Sequence, residues 1–166
     1  MAPITDRVGA YLLRNRSVVR APIWLYRHNL GWLLGRRVLM LEHLGRRSGL
    51  PRYVCLEVVD RPSADVLVVV SGFGTSSQWY RNLMACPECK VSIGTARSLP
   101  ARARPMSDEE SAETLQRYQQ AHPRAWRNLR GMIEQATDAS VTTLPMVALG
   151  LADVSRSAGG PDHRSH

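Results

Sequence analysis

Three apolar runs lie too close together in the chain for anything but antiparallel pairing. They are Val38-Leu39-Met40-Leu41, Tyr53 through Val59, and Val66-Leu67-Val68-Val69-Val70. The first two are separated by Gly45-Arg46-Arg47-Ser48-Gly49-Leu50-Pro51-Arg52, and the last two by Arg61-Pro62-Ser63-Ala64-Asp65. Both connections are rich in Gly, Pro, Ser or Asp, which favour tight turns. Neither has room for the crossover helix that parallel strands require. The pattern predicts strands over Val38–His43, Arg52–Asp60 and Val66–Val70, joined as a meander.

The rest of the chain adds helices and further strands. Ser71-Gly72-Phe73-Gly74-Thr75-Ser76-Ser77 reads as a loop entering a short helix, Gln78–Ala85, with Ser77 as its cap and Pro87 as its stop. Trp79, Leu83 and Cys86 share one face of that helix; Tyr80 and Met84 share another. Lys90–Ile93 and Ser98–Arg104 read as a hairpin turning through Gly94-Thr95-Ala96-Arg97. Ser107-Asp108-Glu109-Glu110 is a capping box that opens a helix over Leu115, Tyr118 and Gln119. Pro123 starts another helix, with Trp126, Leu129 and Ile133 on one face, and Thr143–Leu149 reads as a last strand closing the sheet. The expected class is α+β, a mostly antiparallel sheet with flanking helices. Three regions follow: an amphipathic helical segment over residues 1–37, a main domain over 38–153, and a disordered tail over 154–166.

At 166 residues the chain is long enough to bury one core without staples. Its net charge of +8 is carried almost entirely by arginine, since Lys90 is the single lysine. That balance favours an anionic partner: a phosphorylated cofactor, a membrane surface or nucleic acid. Cys55, Cys86 and Cys89 form no secretory disulfide framework. Asp6, Arg7, Arg14 and Arg16 interrupt any apolar leader, and no run is long enough to cross a bilayer. A cytoplasmic protein is the default. Trp24, Tyr26 and Trp32 among Arg20, Arg27, Arg36 and Arg37 form a segment that either lies on an anionic membrane surface or docks on its own domain.

Two stretches suit an anion. A backbone bent around Gly45 and Gly49 can aim several N–H groups at one point, and Arg46, Arg47 and Arg52 add charge and forked donors. The loop before Gln78 leads to a helix N-terminus, where free N–H groups and the dipole gather. Each also reads as an ordinary turn. Cys86-Pro87-Glu88-Cys89 falls at a helix C-terminal end, where the dipole opposes a thiolate, and no second ligand pair completes a zinc site. No metal site is expected. His28, His43 and His122 form no triad with a nucleophile, so an enzyme built on this chain leaves the chemistry to a cofactor.

Three motifs together carry a resemblance: the basic turn Gly45–Arg52, the loop and helix running from Ser71 through Trp79-Tyr80-Arg81-Asn82-Leu83-Met84-Ala85-Cys86-Pro87, and the late Leu144-Pro145-Met146-Val147. From about Pro22 to Leu149 the chain resembles the deazaflavin-dependent nitroreductases, a family that includes quinone reductases using coenzyme F-420. The resemblance implies a split β-barrel, usually dimeric in the wider superfamily, with the deazaflavin in a groove along it. It implies that the basic turn, with Arg46, Arg47, Ser48 and Arg52, holds the phosphate and the acidic tail. Ser71, Gly72, Phe73 and Gly74 are then expected by the deazaflavin ring, with Trp79, Tyr80 and Asn82 also near the cofactor. Ser71 is the expected catalytic group, and His122 and Trp126 the expected wall of the substrate site. The chain departs from the family pattern at Val54, Cys55, Gly72 and Cys86, and carries His122-Pro123-Arg124-Ala125-Trp126 where nitroimidazole-activating members place tyrosines.

The expected function is hydride transfer from reduced coenzyme F-420 to a quinone, a nitroaromatic or an activated alkene. A split barrel using FMN is one alternative, since its phosphate suits the same turn. A basic module that binds a membrane or nucleic acid without catalysis is the other; the favoured reading has no nucleic-acid partner.

Overall fold

The computed structural model describes residues 35–72, 74–137 and 144–152. Most of the amphipathic segment over residues 5–35, the tail from 154, Phe73, Thr143 and the side chains of Leu129 and Ile133 lie outside what it describes.

Six strands close into a barrel in the order β1-β2-β3-β6-β5-β4. They are β1 (Val38–Leu44), β2 (Pro51–Ser63), β3 (Val66–Val70), β4 (Glu88–Ile93), β5 (Ala96–Pro105) and β6 (Met146–Leu151). Every neighbouring pair is antiparallel. The expected meander is β1-β2-β3. The last strand does close the sheet, by slotting between β3 and β5. Helix α1 (Gln78–Ala85) follows β3; α2 (Asp108–Ala121) and α3 (Pro123–Thr137) fill the connection from β5 to β6. This is the split-barrel, α+β architecture expected from the sequence.

Two turns are tighter than the sequence suggests. β2 runs on through Pro62 to Ser63, and the turn shrinks to Ala64-Asp65, where Ser63 Oγ donates to Asp65 Oδ1 at 2.6 Å. Pro62 is tolerated because the β2–β3 ladder shifts register between Asp60 and Ser63, so no ladder bond is asked of it. The later hairpin turns at Gly94-Thr95, with Gly94 at φ +57°, and β5 already begins at Ala96.

The barrel is filled by Leu39, Leu41, Leu67, Val69, Val91, Ile93, Val147 and Leu149, with Trp79 and Leu83 of α1 joining them. A second cluster lies outside the barrel wall. There Val59, Val68, Val70 and Met146 meet Leu115 and Tyr118 of α2, together with Leu144. Side chains alternate across a strand, so β3 and β6 bury both faces, and that explains the uninterrupted apolar run of β3. Tyr118 also donates its hydroxyl to Glu57 Oε1 at 2.7 Å, tying α2 to β2.

The capping box forms as expected. Ser107 Oγ accepts from the Glu110 N–H at 3.1 Å, and Glu110 Oε2 accepts from the Ser107 N–H at 2.8 Å. Arg104 then clamps both carboxylate oxygens of Glu110, each at 3.1 Å. Among the described residues no helix is long and apolar enough to cross a membrane.

Leu149→Ala, inside the barrel, is expected to cost roughly 2–5 kcal/mol, and Ser107→Ala about 1 kcal/mol. Urea titrations of the two variants against the parent protein measure both.

Candidate functional site

The turn between β1 and β2 is built by its own backbone. The Gly45 N–H donates to Leu50 O at 2.9 Å, and the Gly49 N–H to Gly45 O at 2.7 Å. Gly49 has φ +65°, a conformation that L side chains rarely adopt. A Cβ at Gly45 would lie 2.6 Å from Ser48 Oγ, so a side chain there would have to displace that hydroxyl. Ser48 Oγ accepts from the Leu50 N–H at 3.2 Å. His43 pairs with Arg52 across the two strands.

α1 lies against this turn, and Asn82 joins them. The Asn82 side chain is only 5% exposed. Its Oδ1 accepts from the Arg46 main-chain N–H at 3.1 Å and from Arg46 Nη1 at 3.0 Å. Arg46 Nη1 also donates to Gln78 Oε1 at 2.9 Å. On its other side Asn82 Nδ2 meets His43 Nδ1 at 3.1 Å. His43 is 4% exposed. Burial, with Arg52 nearby, holds its pKa down to about 4 against an ordinary 6.5, while a contact with the Leu44 backbone works weakly the other way.

Between turn and helix lies an open groove of about 630 Å³. Arg46, Arg47, Ser48 and Arg52 line it from the turn, and Gln78, Trp79 and Asn82 from α1. His43, Tyr53 and Val54 complete the wall. Among the described residues no carboxylate pairs with Arg46, Arg47 or Arg52. Charges left unpaired beside a partly apolar wall are what an anionic, ring-bearing ligand needs.

The structure thus brings together Arg46, Arg47, Ser48, Arg52, Trp79 and Asn82 from the expected set. Within it Arg46 and Asn82 are largely committed to each other, which leaves Arg47 and Arg52 as the freer cations. Tyr80 lies half-buried against the barrel core, edge-on to Trp79 at 5.9 Å, off the groove lining. Gly72 and Gly74 belong to the loop before α1, and Phe73 lies outside the described residues.

Ser71 is not on the groove wall. It is 1% exposed, and its hydroxyl donates to Gly74 O at 2.6 Å. Its N–H donates to Pro145 O at 2.9 Å. In this arrangement the serine's work is to close the loop and fasten it to the chain entering β6. Ser77 makes no capping bond to α1, contrary to expectation, because its Oγ lies 2.9 Å from Ser71 Oγ in the same knot. His122 and Trp126 are not brought to the groove either. His122 ends α2 against Tyr118, and Trp126 packs on the second cluster, outside the barrel wall.

His43, Gln78, Tyr53 and Val54 line the groove without having been assigned to it from sequence. The alternation Leu39, Leu41, His43 was the available signal, since it turns His43 to the barrel side. The thiols stand apart from the groove. Cys89 Sγ points at Ala101 O (3.6 Å), and Cys86 Sγ at Glu88 Oε2 (3.7 Å). Burial pushes Cys55 up to about 12; burial, then Cys86 and Glu88, push Cys89 up to about 11. Among the described residues no group of three or more His, Cys, Asp or Glu side chains could hold a metal ion.

A closed antiparallel barrel carrying a cationic groove at the end of one hairpin defines a protein of the split-barrel class. Residues 18–142 match the F420H(2)-dependent quinone reductase family, and the chain belongs to that family. A protein of Mycobacterium tuberculosis provisionally named as such a reductase is 38% identical over 76 residues. That match spans 45% of this chain and 62% of the relative's length. A solved F420-H2 dependent reductase superposes with a TM-score of 0.50 at 24% identity, over 69% of this chain and 95% of its own. A second solved structure, described as a domain-swapped dimer, gives 0.51 at 20% identity, over 78% and 99% of the two chains. At these identities the two structures bear on the fold.

Two outcomes are expected. Because the folded state binds the His43 proton only near pH 4, and the unfolded chain already does so near 6.5, this group's stabilisation is complete above about pH 6.5, falls between there and about pH 4, and changes no further below. Urea midpoints measured across that range, with His43→Asn as control, read the slope, which the variant reduces. Cys86→Ser and Cys89→Ser are each expected to keep turnover and to hold no stoichiometric zinc, as read by steady-state assay and metal analysis.

Proposed function

We propose that the protein is a reductase that passes a hydride from reduced coenzyme F-420 to an electron-poor acceptor, a quinone first among them. The observation that carries this reading is the groove. It is lined both by Arg47 and Arg52, without carboxylate partners among the described residues, and by the apolar side chains of Trp79 and Val54.

Its donor set fits the coenzyme. A phosphodiester and an oligoglutamate tail are anions, and forked guanidinium donors at a glycine turn suit them. When bound, the deazaflavin supplies a hydride at C5. The chain's own residues bind, orient and exclude water. Arg47 and Arg52 take the charged tail. Arg46, held by Asn82 and Gln78, keeps the turn pressed on α1. Trp79 and Val54 offer apolar surface, and His43 stays uncharged in its buried place near Arg52. Ser71 acts through the loop it fastens, by fixing the backbone that leads into α1.

The acceptor is drawn from quinones, nitroaromatics and activated alkenes. A lipophilic quinone is reached most directly from a membrane surface. The basic, Trp-bearing segment over residues 5–35 suits that contact, and cosedimentation with anionic vesicles at low and high salt measures it. A homodimer, as in the wider superfamily, is read by sedimentation equilibrium.

Charge-assisted contacts are worth roughly 1.5–3 kcal/mol each. Arg47→Ala and Arg52→Ala are therefore each expected to weaken F-420 binding by about 10- to 150-fold, with circular dichroism unchanged. A fluorescence titration with F-420, run beside one with FMN, measures this. Equal affinity of the parent and both variants, or tight binding of FMN alone, would overturn the reading.

A further inference from the structure

We infer that His43 is a positioning residue for the cationic turn, acting through the Asn82 side-chain amide on Arg46. Asn82 presents one face that can only accept and one that can only donate. Arg46 brings two donors, its main-chain N–H and Nη1, and neither can face an NH2 group. So Oδ1 faces Arg46, and Nδ2 faces His43. An amide NH2 cannot accept, so His43 Nδ1, 3.1 Å away, is the bare ring nitrogen and the proton sits on Nε2. One tautomer of one neutral imidazole satisfies the whole chain of bonds.

The alternatives are costly at this depth. Asn82 and His43 are 5% and 4% exposed, so water does not readily replace a lost partner. A proton on Nδ1 sets two donors face to face; turning the amide to relieve that clash presents its NH2 group to both Arg46 donors. Buried groups left in that state are penalised more than an ordinary bond is rewarded. The neutral imidazole therefore decides which way the amide points, and the amide decides where Arg46 and the turn lie on α1. Arg47 follows Arg46 directly, and Arg52 pairs with His43 across the strands, so both freer cations are aimed by the same tie. His43 need not touch the ligand to set how well the turn holds it.

The position of the acceptor atom supplies the test. An asparagine at 43 can place Oδ1 where His43 has Nδ1; a leucine fills the space with no acceptor. A role in packing ranks leucine above asparagine, and the positioning role ranks them the other way. The first readout is hydrogen exchange at the Arg46 amide, referenced to the Leu41 amide in the barrel core to remove global unfolding. His43→Asn is expected to hold the ratio within about threefold, and His43→Leu to raise Arg46 exchange about tenfold or more. The second readout is nitrogen-15 NMR of the parent protein at neutral pH, with Nδ1 unprotonated and Nε2 protonated. The third is F-420 affinity, expected to fall about tenfold in His43→Leu and less than threefold in His43→Asn.

Only that third arm rests on the proposed cofactor. If the parent binds no F-420, the functional reading fails, while the exchange and NMR arms still decide the role of His43. A protonated Nδ1, or an Arg46 amide equally protected in the leucine variant, overturns the inference.

Discussion

Closure of the barrel depends on β6. Without it, β3 and β5 are both open edges, and the valines of β3 have an unlined interior behind them. An inserted strand satisfies both rows of backbone groups at once. It also delivers Val147 and Leu149 to the interior and Met146 to the helical layer. The long excursion through α2 and α3 follows from this: the chain must leave β5 and return antiparallel beside it. The helices cover the outer face of β3 and β6 on the way.

Closure also decides where the site can be. A closed sheet has no crevice between strands, so ligand-binding groups gather at its ends, where turns and helix termini meet. Here one hairpin tip supplies cations and α1 supplies the surface they rest on. Asn82, with Gln78 beside it, joins the two, and Asn82 is polar on both sides. An apolar contact at that point would hold the pieces together without fixing their orientation; hydrogen bonds with one permitted sense fix both.

Much of the fold was legible because the relevant signals were local. The apolar runs, the glycine turns, Pro87 and the Ser107–Glu110 box each constrain a few neighbouring residues, and they placed the elements to within a few positions. The extension of β2 past Pro62 was not legible, since it depends on a register shift against β3. The basic turn could be read from its own composition. Ser71 could not, because its fate is set by Pro145, far along the chain. The places of His122 and Trp126 away from the groove were hidden for a related reason: helix periodicity says which residues share a face, and tertiary packing says what that face meets. His43 is the converse case, a residue whose strand parity was visible and whose partner, Asn82, was not.

Burial bears on how two of the thiols meet electrophiles. Quinones and activated alkenes are Michael acceptors, and they alkylate the cysteine thiolate far faster than the thiol. Cys55 and Cys89, raised to about 12 and about 11, hold almost no thiolate at neutral pH. Cys55 lies on β2, the strand that carries Arg52, Tyr53 and Val54 to the groove, without lining the groove itself. A sulfur kept protonated is a poor nucleophile toward such electrophiles.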